Sequence, residues 1–264
     1  MRIVILSPNK YSFYTLAISE SLLKEGFKIE AVVYLKFSIN RIINNIIKSP
    51  LEIFVKFLKK VIFRKVFYKS QNTANGIYNY RKKVGINANS IEDLTKYGIK
   101  VFPYTDFNSQ DCINQINILE PDLILFTGGG IIKSELLKIP KIGILNSHMG
   151  ILPFYRGMHV AEWTLLNKDY NNLGCTTHLM EKNVDIGKVI NIQRIKIRNI
   201  NNIDELYSVF EKNMCLSLLT SCKLLEKNNN FYLFISEISP LYFSMPHKLL
   251  SIIKNSLKYR THEN

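Results

Sequence analysis

Helix-length stretches alternate with short runs of β-branched and other apolar residues along most of this chain, and that rhythm limits its folds more than any other feature. The run "RIVIL" opens it, "YSFYTLAISESLLKEG" follows with helical spacing and closes on Gly26, and "KIEAVVYL" returns as a strand. Further on, "IKVFPY" and "DLILFTGGG" read as strands around the helix "NSQDCINQINILE". "KIGILNSH", "CTTHLM" and "VINIQRIKI" read as three more strands, with "HVAEWTLLNK" as a helix among them. The expected class is α/β: a doubly wound, mostly parallel sheet with helices on both faces. Ligands on such sheets sit at the carboxyl ends of strands, and both "FTGGG" and "LNSH" end there.

Residues 36–90 interrupt the rhythm. Within them "LEIFVKFLKKVIFRKVFYK" sets Phe54, Phe57, Leu58, Val61 and Ile62 at helical spacing, with Lys56, Lys59, Lys60 and Arg64 largely opposite. Such a helix either packs on its own domain with a solvated basic face or lies on an anionic membrane surface. The C-terminal "HKLLSIIKNSLKYR" has the same two readings, and residues 203–227 form a long amphipathic helix. The division expected is a catalytic domain over 1–202, with a basic helical insertion at about 36–90, and a C-terminal helix and strand/helix extension over 203–264. Apolar residues in these last helices leave a homodimer open.

The cysteines Cys112, Cys175, Cys215 and Cys222 follow no disulfide framework and no zinc-ligand spacing, so no metal is expected and a reducing setting fits. The N-terminal apolar run is too short for a signal peptide, and no uncharged apolar segment is long enough to span a bilayer. A cytoplasmic location is expected, with peripheral membrane contact through the basic helices as a further reading. The formal charge of +14, from 35 Lys+Arg against 21 Asp+Glu, points to a polyanionic partner. The Lys, Asn and Ile bias of AT-rich coding accounts for the same numbers without one.

Chemistry concentrates in "LNSHMGILPFYRG", residues 145–157. Strand alternation puts Asn146 and His148 on one side, where an amide N–H and an imidazole together can stabilise charge on an oxygen. With a reference pKa of about 6.5, the imidazole can also exchange a proton near neutrality. Downstream, "VDIG" offers Asp185 in a turn between strands, where a carboxylate can return across the cleft to orient His148 or a water. Gly128, Gly129 and Gly130 allow close approach of a flat ligand to the backbone. They lack the G-x-G-x-x-G spacing of a dinucleotide fingerprint.

The ordered set "LNSH", "LPFYRG", Trp163, "GCTTHLM" and "VDIG" resembles the signature of the folate-dependent formyltransferases, which include glycinamide ribonucleotide, methionyl-tRNA and sugar-nucleotide enzymes. The likeness is specific over residues 122–189. It implies a Rossmann-like formyltransferase fold, 10-formyltetrahydrofolate as co-substrate, and Asn146, His148 and Asp185 as the catalytic set. A free amine would attack the formyl carbon, Asn146 and His148 would hold the oxyanion, and Asp185 would help move the proton through water. By motif position Gly129, Gly130, Ile131, Ile132, Glu181, Lys182 and Val184 would frame the pterin. Met149, Arg156, Gly157 and Trp163 would meet the acceptor. His178 matches a histidine frequent in the family and receives no catalytic role.

Departures from the resemblance narrow the acceptor. The first turn, "SPNKYS", supplies no glycine-rich phosphate loop of the glycinamide ribonucleotide kind, and only 37 residues follow Lys227, too few for a tRNA-binding barrel. Val160 stands where relatives usually carry proline. The expected acceptor is therefore a nucleotide-linked amino sugar of bacterial surface polysaccharide, such as O-antigen or lipopolysaccharide, rather than nucleic acid. Methionyl-tRNA or another amine, and a noncatalytic RNA- or membrane-binding homologue, are the alternatives.

Overall fold

The computed structural model describes residues 1–36, 71–85, 88–197, 200–227 and 240–259. Strand β1 (Ile3–Ser7) is buried along its whole length, as a continuous apolar run covered on both faces must be. Helix α1 (Phe13–Lys24) starts where the Ser12 hydroxyl accepts a hydrogen bond from the Thr15 N–H, satisfying one of the free amides of the first turn. There follow β2 (Ile29–Leu35), α2 (Gln71–Val84), a 3-10 helix (Ile91–Tyr97), β3 (Lys100–Tyr104), α3 (Gln110–Leu119) and β4 (Leu123–Phe126). The second half holds α4 (Ser134–Leu137), β5 (Gly143–His148), β6 (Arg156–Gly157), α5 (Val160–Leu166), β7 (Gly174–Leu179), β8 (Val189–Arg194) and α6 (Ile203–Glu226). The described chain closes with β9 (Leu241–Tyr242) and α7 (His247–Tyr259).

Seven strands form one sheet in the order β3-β2-β1-β4-β5-β7-β8. The pairs from β3 through β5 are parallel, and β5–β7 and β7–β8 are antiparallel. The winding reverses between β1 and β4, which makes the sheet doubly wound, as the alternation of elements requires. A second, two-stranded sheet joins β6 to β9 in parallel.

Two apolar layers cover the main sheet. On one face Leu16, Ile18 and Leu22 of α1 and Leu218 and Cys222 of α6 pack on Ile3, Ile5, Leu123, Leu125 and Leu145. On the other, Cys112, Ile113 and Ile116 of α3 and Leu136 of α4 pack on Val4, Leu6, Ile124 and Ile144. Adjacent residues of β5 thus belong to opposite layers, which fixes the site: Asn146 and His148 share the side of Ile144, and Ser147 that of Leu145.

α6 runs 24 residues from an Asn202 cap whose side chain accepts the Glu205 N–H at 2.9 Å. Beyond the sheet it packs on α1 and α2, and its Leu206 and Phe210 meet Ala161 and Leu165 of α5 and Ile253 and Leu257 of α7 in a third apolar cluster. Most of the 36–90 interruption, including the basic stretch 51–69, lies outside the described residues. Its described part, α2, is tied to α1 by a buried two-pronged ion pair in which Arg81 Nε and Nη2 donate to Glu20 at 2.8 and 2.6 Å. Among the described residues no helix is long and apolar enough to cross a membrane.

Candidate active site

Three segments far apart in sequence meet at the carboxyl end of β5. His148 is 8% exposed, and its ring lies between two oxygens. Nε2 is 2.9 Å from the Tyr155 carbonyl, and Nδ1 is 3.4 Å from Asp185 Oδ1. A carbonyl only accepts, so the Nε2 proton is directed at Tyr155. The other Asp185 oxygen accepts the Gly157 N–H at 2.7 Å, so one carboxylate ties the 180–188 turn to both β5 and β6.

That turn is held in shape by its backbone. Asp185 itself sits in the left-handed region at φ 52. Gly187 has φ +137, and a Cβ there would lie 1.8 Å from the Leu179 carbonyl oxygen, so no larger residue fits. Arg156 Nη2 donates to the Val184 carbonyl at 2.8 Å, a second clasp between β6 and the turn.

Asn146 pairs across the ladder with His178, and its Nδ2 lies 3.4 Å from His178 Nε2. Burial, and then the neighbouring His148, push the His178 ring down to about 4. A neutral ring with an acceptor nitrogen at Nε2 is what an amide N–H needs as a partner, and the Asn146 amide keeps its second hydrogen for a ligand. His178, given no role above, thus stands beside the Asn146 amide at the cavity edge.

A cavity of about 260 Å3 opens beside these groups. Of the residues expected from sequence, Asn146, His148, Met149 and Gly157 line it. Asp185 and Arg156 instead brace its edge through the contacts above. Trp163 points to the C-terminal segment: its indole N–H donates to the Phe243 carbonyl at 2.9 Å, and its ring lies 5.5 Å from that of Tyr242. In the glycine loop, Gly129 has φ +126, and a Cβ there would fall 2.5 Å from the Phe107 ring. Ile131 is 76% exposed, whereas Ile132 is buried in the core with Phe107. Asn108 straps the loop by donating to the Ile131 carbonyl at 2.9 Å and accepting the Lys133 N–H at 2.8 Å. Across the same region Glu181, Lys182 and Val184 are exposed.

Other cavity residues, among them His159, Glu162, Tyr207 and Met214, are not marked out by the sequence motifs. His159 stands at φ 53, and its Nδ1 accepts the Met245 N–H at 3.0 Å, which links the cavity mouth to the C-terminal segment. Glu162 alone carries a local signal, being a carboxylate set among Val160, Ala161 and Trp163.

A family model described as "Formyl transferase" matches residues 69–218. The bifunctional polymyxin resistance protein ArnA of Wigglesworthia glossinidia brevipalpis is 35% identical over 113 residues, covering 42% of this chain and 17% of that protein. The methionyl-tRNA formyltransferase of Clostridium beijerinckii is 33% identical over 130 residues, covering 48% of this chain and 42% of that protein. The chain thus spans less than half the length of either relative. Among solved structures, a sugar N-formyltransferase from Shewanella sp FDAARGOS_354 superposes with a TM-score of 0.53 at 18% identity, over 92% of this chain and 76% of that one. A phosphoribosylglycinamide formyltransferase from Anaplasma phagocytophilum does so with a TM-score of 0.58 at 14% identity, over 92% and 97%. At these identities the likeness to the solved structures is one of fold.

Proposed function

The chain belongs to the formyl transferase family, and from that premise we propose that it moves a formyl group from 10-formyltetrahydrofolate to the amine of a nucleotide-linked amino sugar. One observation carries the reading: Asn146, His148 and Asp185 converge from two distant segments on one cavity edge, with His148 and Asp185 3.4 Å apart. The residues present fit the donor substrate. The glycine loop, pressed against Phe107 and strapped by Asn108, exposes Ile131, and the 180–188 turn exposes Val184, each an apolar contact of the kind a flat heterocycle takes.

Each group has a part that follows from its partners. Asn146, beside the neutral His178, offers an N–H to the carbonyl oxygen as negative charge develops there. His148 reaches that oxygen with Nε2 only by releasing the Tyr155 carbonyl, while its Nδ1 stays toward Asp185. Asp185, fixed by the Gly157 N–H, holds the ring and receives the proton that the amine loses as the C–N bond forms. As the bond from the formyl carbon to its folate nitrogen breaks, that proton passes to this nitrogen of the departing tetrahydrofolate.

The choice of acceptor is supported by the sugar N-formyltransferase likeness of fold and by the first turn, which lacks a glycine-rich phosphate loop. The net charge of +14 suits a nucleotide diphosphate. A second reading, methionyl-tRNA as acceptor, is favoured by the Clostridium beijerinckii relative. The test is release of tetrahydrofolate from 10-formyltetrahydrofolate, followed by absorbance with a panel of amino-sugar nucleotides, glycinamide ribonucleotide and charged initiator tRNA. Turnover with an amino-sugar nucleotide is expected. Turnover with tRNA alone would replace the acceptor, and none with any acceptor would overturn the activity.

A further inference from the structure

The wall of the cavity contains a carboxylate that the proposed chemistry has not used. Glu162, in the first turn of α5, is 1% exposed, yet lines the cavity shared by Asn146 and His148. Its Oε1 accepts the hydroxyl hydrogen of Tyr207, which reaches across from α6. Its Oε2 takes no hydrogen bond among the described residues. Burial and the adjacent carboxylate push the Tyr207 hydroxyl well above its ordinary range, so it stays a donor.

A carboxylate oxygen that faces the cavity without a protein donor is an open acceptor for a cation or an N–H. Val160, Ala161 and Met214 beside it supply neither, and no Lys or Arg lines the cavity, although the chain carries 35 of them. Among the described residues, this cavity wall thus holds a carboxylate oxygen with no lysine or arginine beside it. That arrangement selects a small positive or N–H-rich group arriving from outside.

We propose that Glu162 anchors the amino group of the acceptor, with Tyr207 holding the carboxylate in place. The unmatched oxygen accepts an N–H from the primary amine or ammonium, at the cavity where Asn146 awaits the formyl oxygen. The assignment rests on the reading of the chain as an amine formyltransferase, and it adds a consequence. A formamide carries no charge, so the ion pair that retains the substrate is lost once the product has formed, and the same carboxylate that favours binding favours release.

The test separates this proposal from the parent reading by using a probe that is not a formyl acceptor of any named pathway. Ethylammonium chloride, and ethanol as its neutral counterpart, are titrated at constant ionic strength into the full chain labelled at methionine methyls, with Met214 and Met149 as reporters. Wild type should show saturable shifts with ethylammonium and none with ethanol, and Glu162→Gln should weaken ethylammonium binding by roughly tenfold or more. Tyr207→Phe, which keeps the ring and the carboxylate, should weaken it by about threefold. Equal response to ethanol, or unchanged affinity in Glu162→Gln, overturns the proposal. If Glu162→Gln does not fold, unchanged affinity in Tyr207→Phe overturns it. Failure of formyl transfer with every acceptor would refute the parent activity while leaving this titration to decide Glu162.

Discussion

Replacing Gly187 by alanine tests how the 180–188 turn positions Asp185. The new Cβ would lie 1.8 Å from the Leu179 carbonyl oxygen, where contacts under 3.0 Å essentially never occur, so the two must part by at least about 1.2 Å. Leu179 is locked into β7, paired with Leu145, so the turn is the part that gives. Displacing Asp185 by that distance breaks its 2.7 Å bond with the Gly157 N–H and withdraws it from His148. Loss of a charge-assisted hydrogen bond contributes about 1.5–3 kcal/mol. Forcing a side chain at φ +137 adds roughly 1–2 kcal/mol. The expected loss is thus about 3–5 kcal/mol by urea denaturation, with turnover of the remaining folded enzyme down about a hundredfold, the usual effect of a 1 Å misplacement. Gly26→Ala is the control, since φ is +81 there and nothing lies within 4 Å of its Cβ. If Gly187→Ala lost no more stability than Gly26→Ala and kept turnover within about threefold, the account of the turn would be wrong.

Asn146→Ala and His148→Ala should each lower turnover by about a hundredfold or more without loss of fold, and Asp185→Asn should do comparable harm; near-normal rates in all three would remove the catalytic assignment. Burial raises Glu211 from 4.5 to about 7, so between those values the folded chain holds a proton that the unfolded chain has released, and stability falls as pH rises through that window. Glu211→Gln should therefore flatten the pH dependence of the melting temperature between pH 4.5 and 7, and gain roughly 1–2 kcal/mol above pH 7 after allowance for partial exposure. An unchanged slope would refute it. Glu20→Gln leaves the buried Arg81 unmatched and should lower stability by about 3–5 kcal/mol, read as a melting-point drop of roughly 10 °C.

Much of the fold was legible because parallel strands covered on both faces are continuous apolar runs, and β1, β2 and β4 are of that kind. Direction was less so: the β-branched run "CTTHLM" marks β7 as a strand without saying that it runs against β5. Helix α4 and strands β6 and β9, of four residues and two residues each, are too short for any period to show. Asn146, His148 and Asp185 were accessible through motif and order. The pairing of Glu162 with Tyr207 was not, because they stand 45 residues apart on different helices and only Glu162, a carboxylate among apolar neighbours, carries a local signal. For Trp163, motif position gave no sign that the Phe243 carbonyl takes its indole hydrogen. Ile132, expected to frame the pterin largely through its backbone, puts its apolar side chain into the core around Phe107.

The pairing of β6 with β9 bears on the order in which the chain is made. His159 and Met245, which meet at the cavity mouth, are separated by 86 positions. A chain emerging from the ribosome can therefore present β5 and the Asp185 turn long before the segment that seats Tyr242 between Tyr155 and Trp163 has been translated. Loop closure over that separation costs more entropy than joining His148 to Asp185, 37 positions apart, and such contacts tend to form later. Until residues 241–245 arrive, the mouth of the cavity lacks the partners that hold it, and the nascent protein has its sheet before it has a finished site.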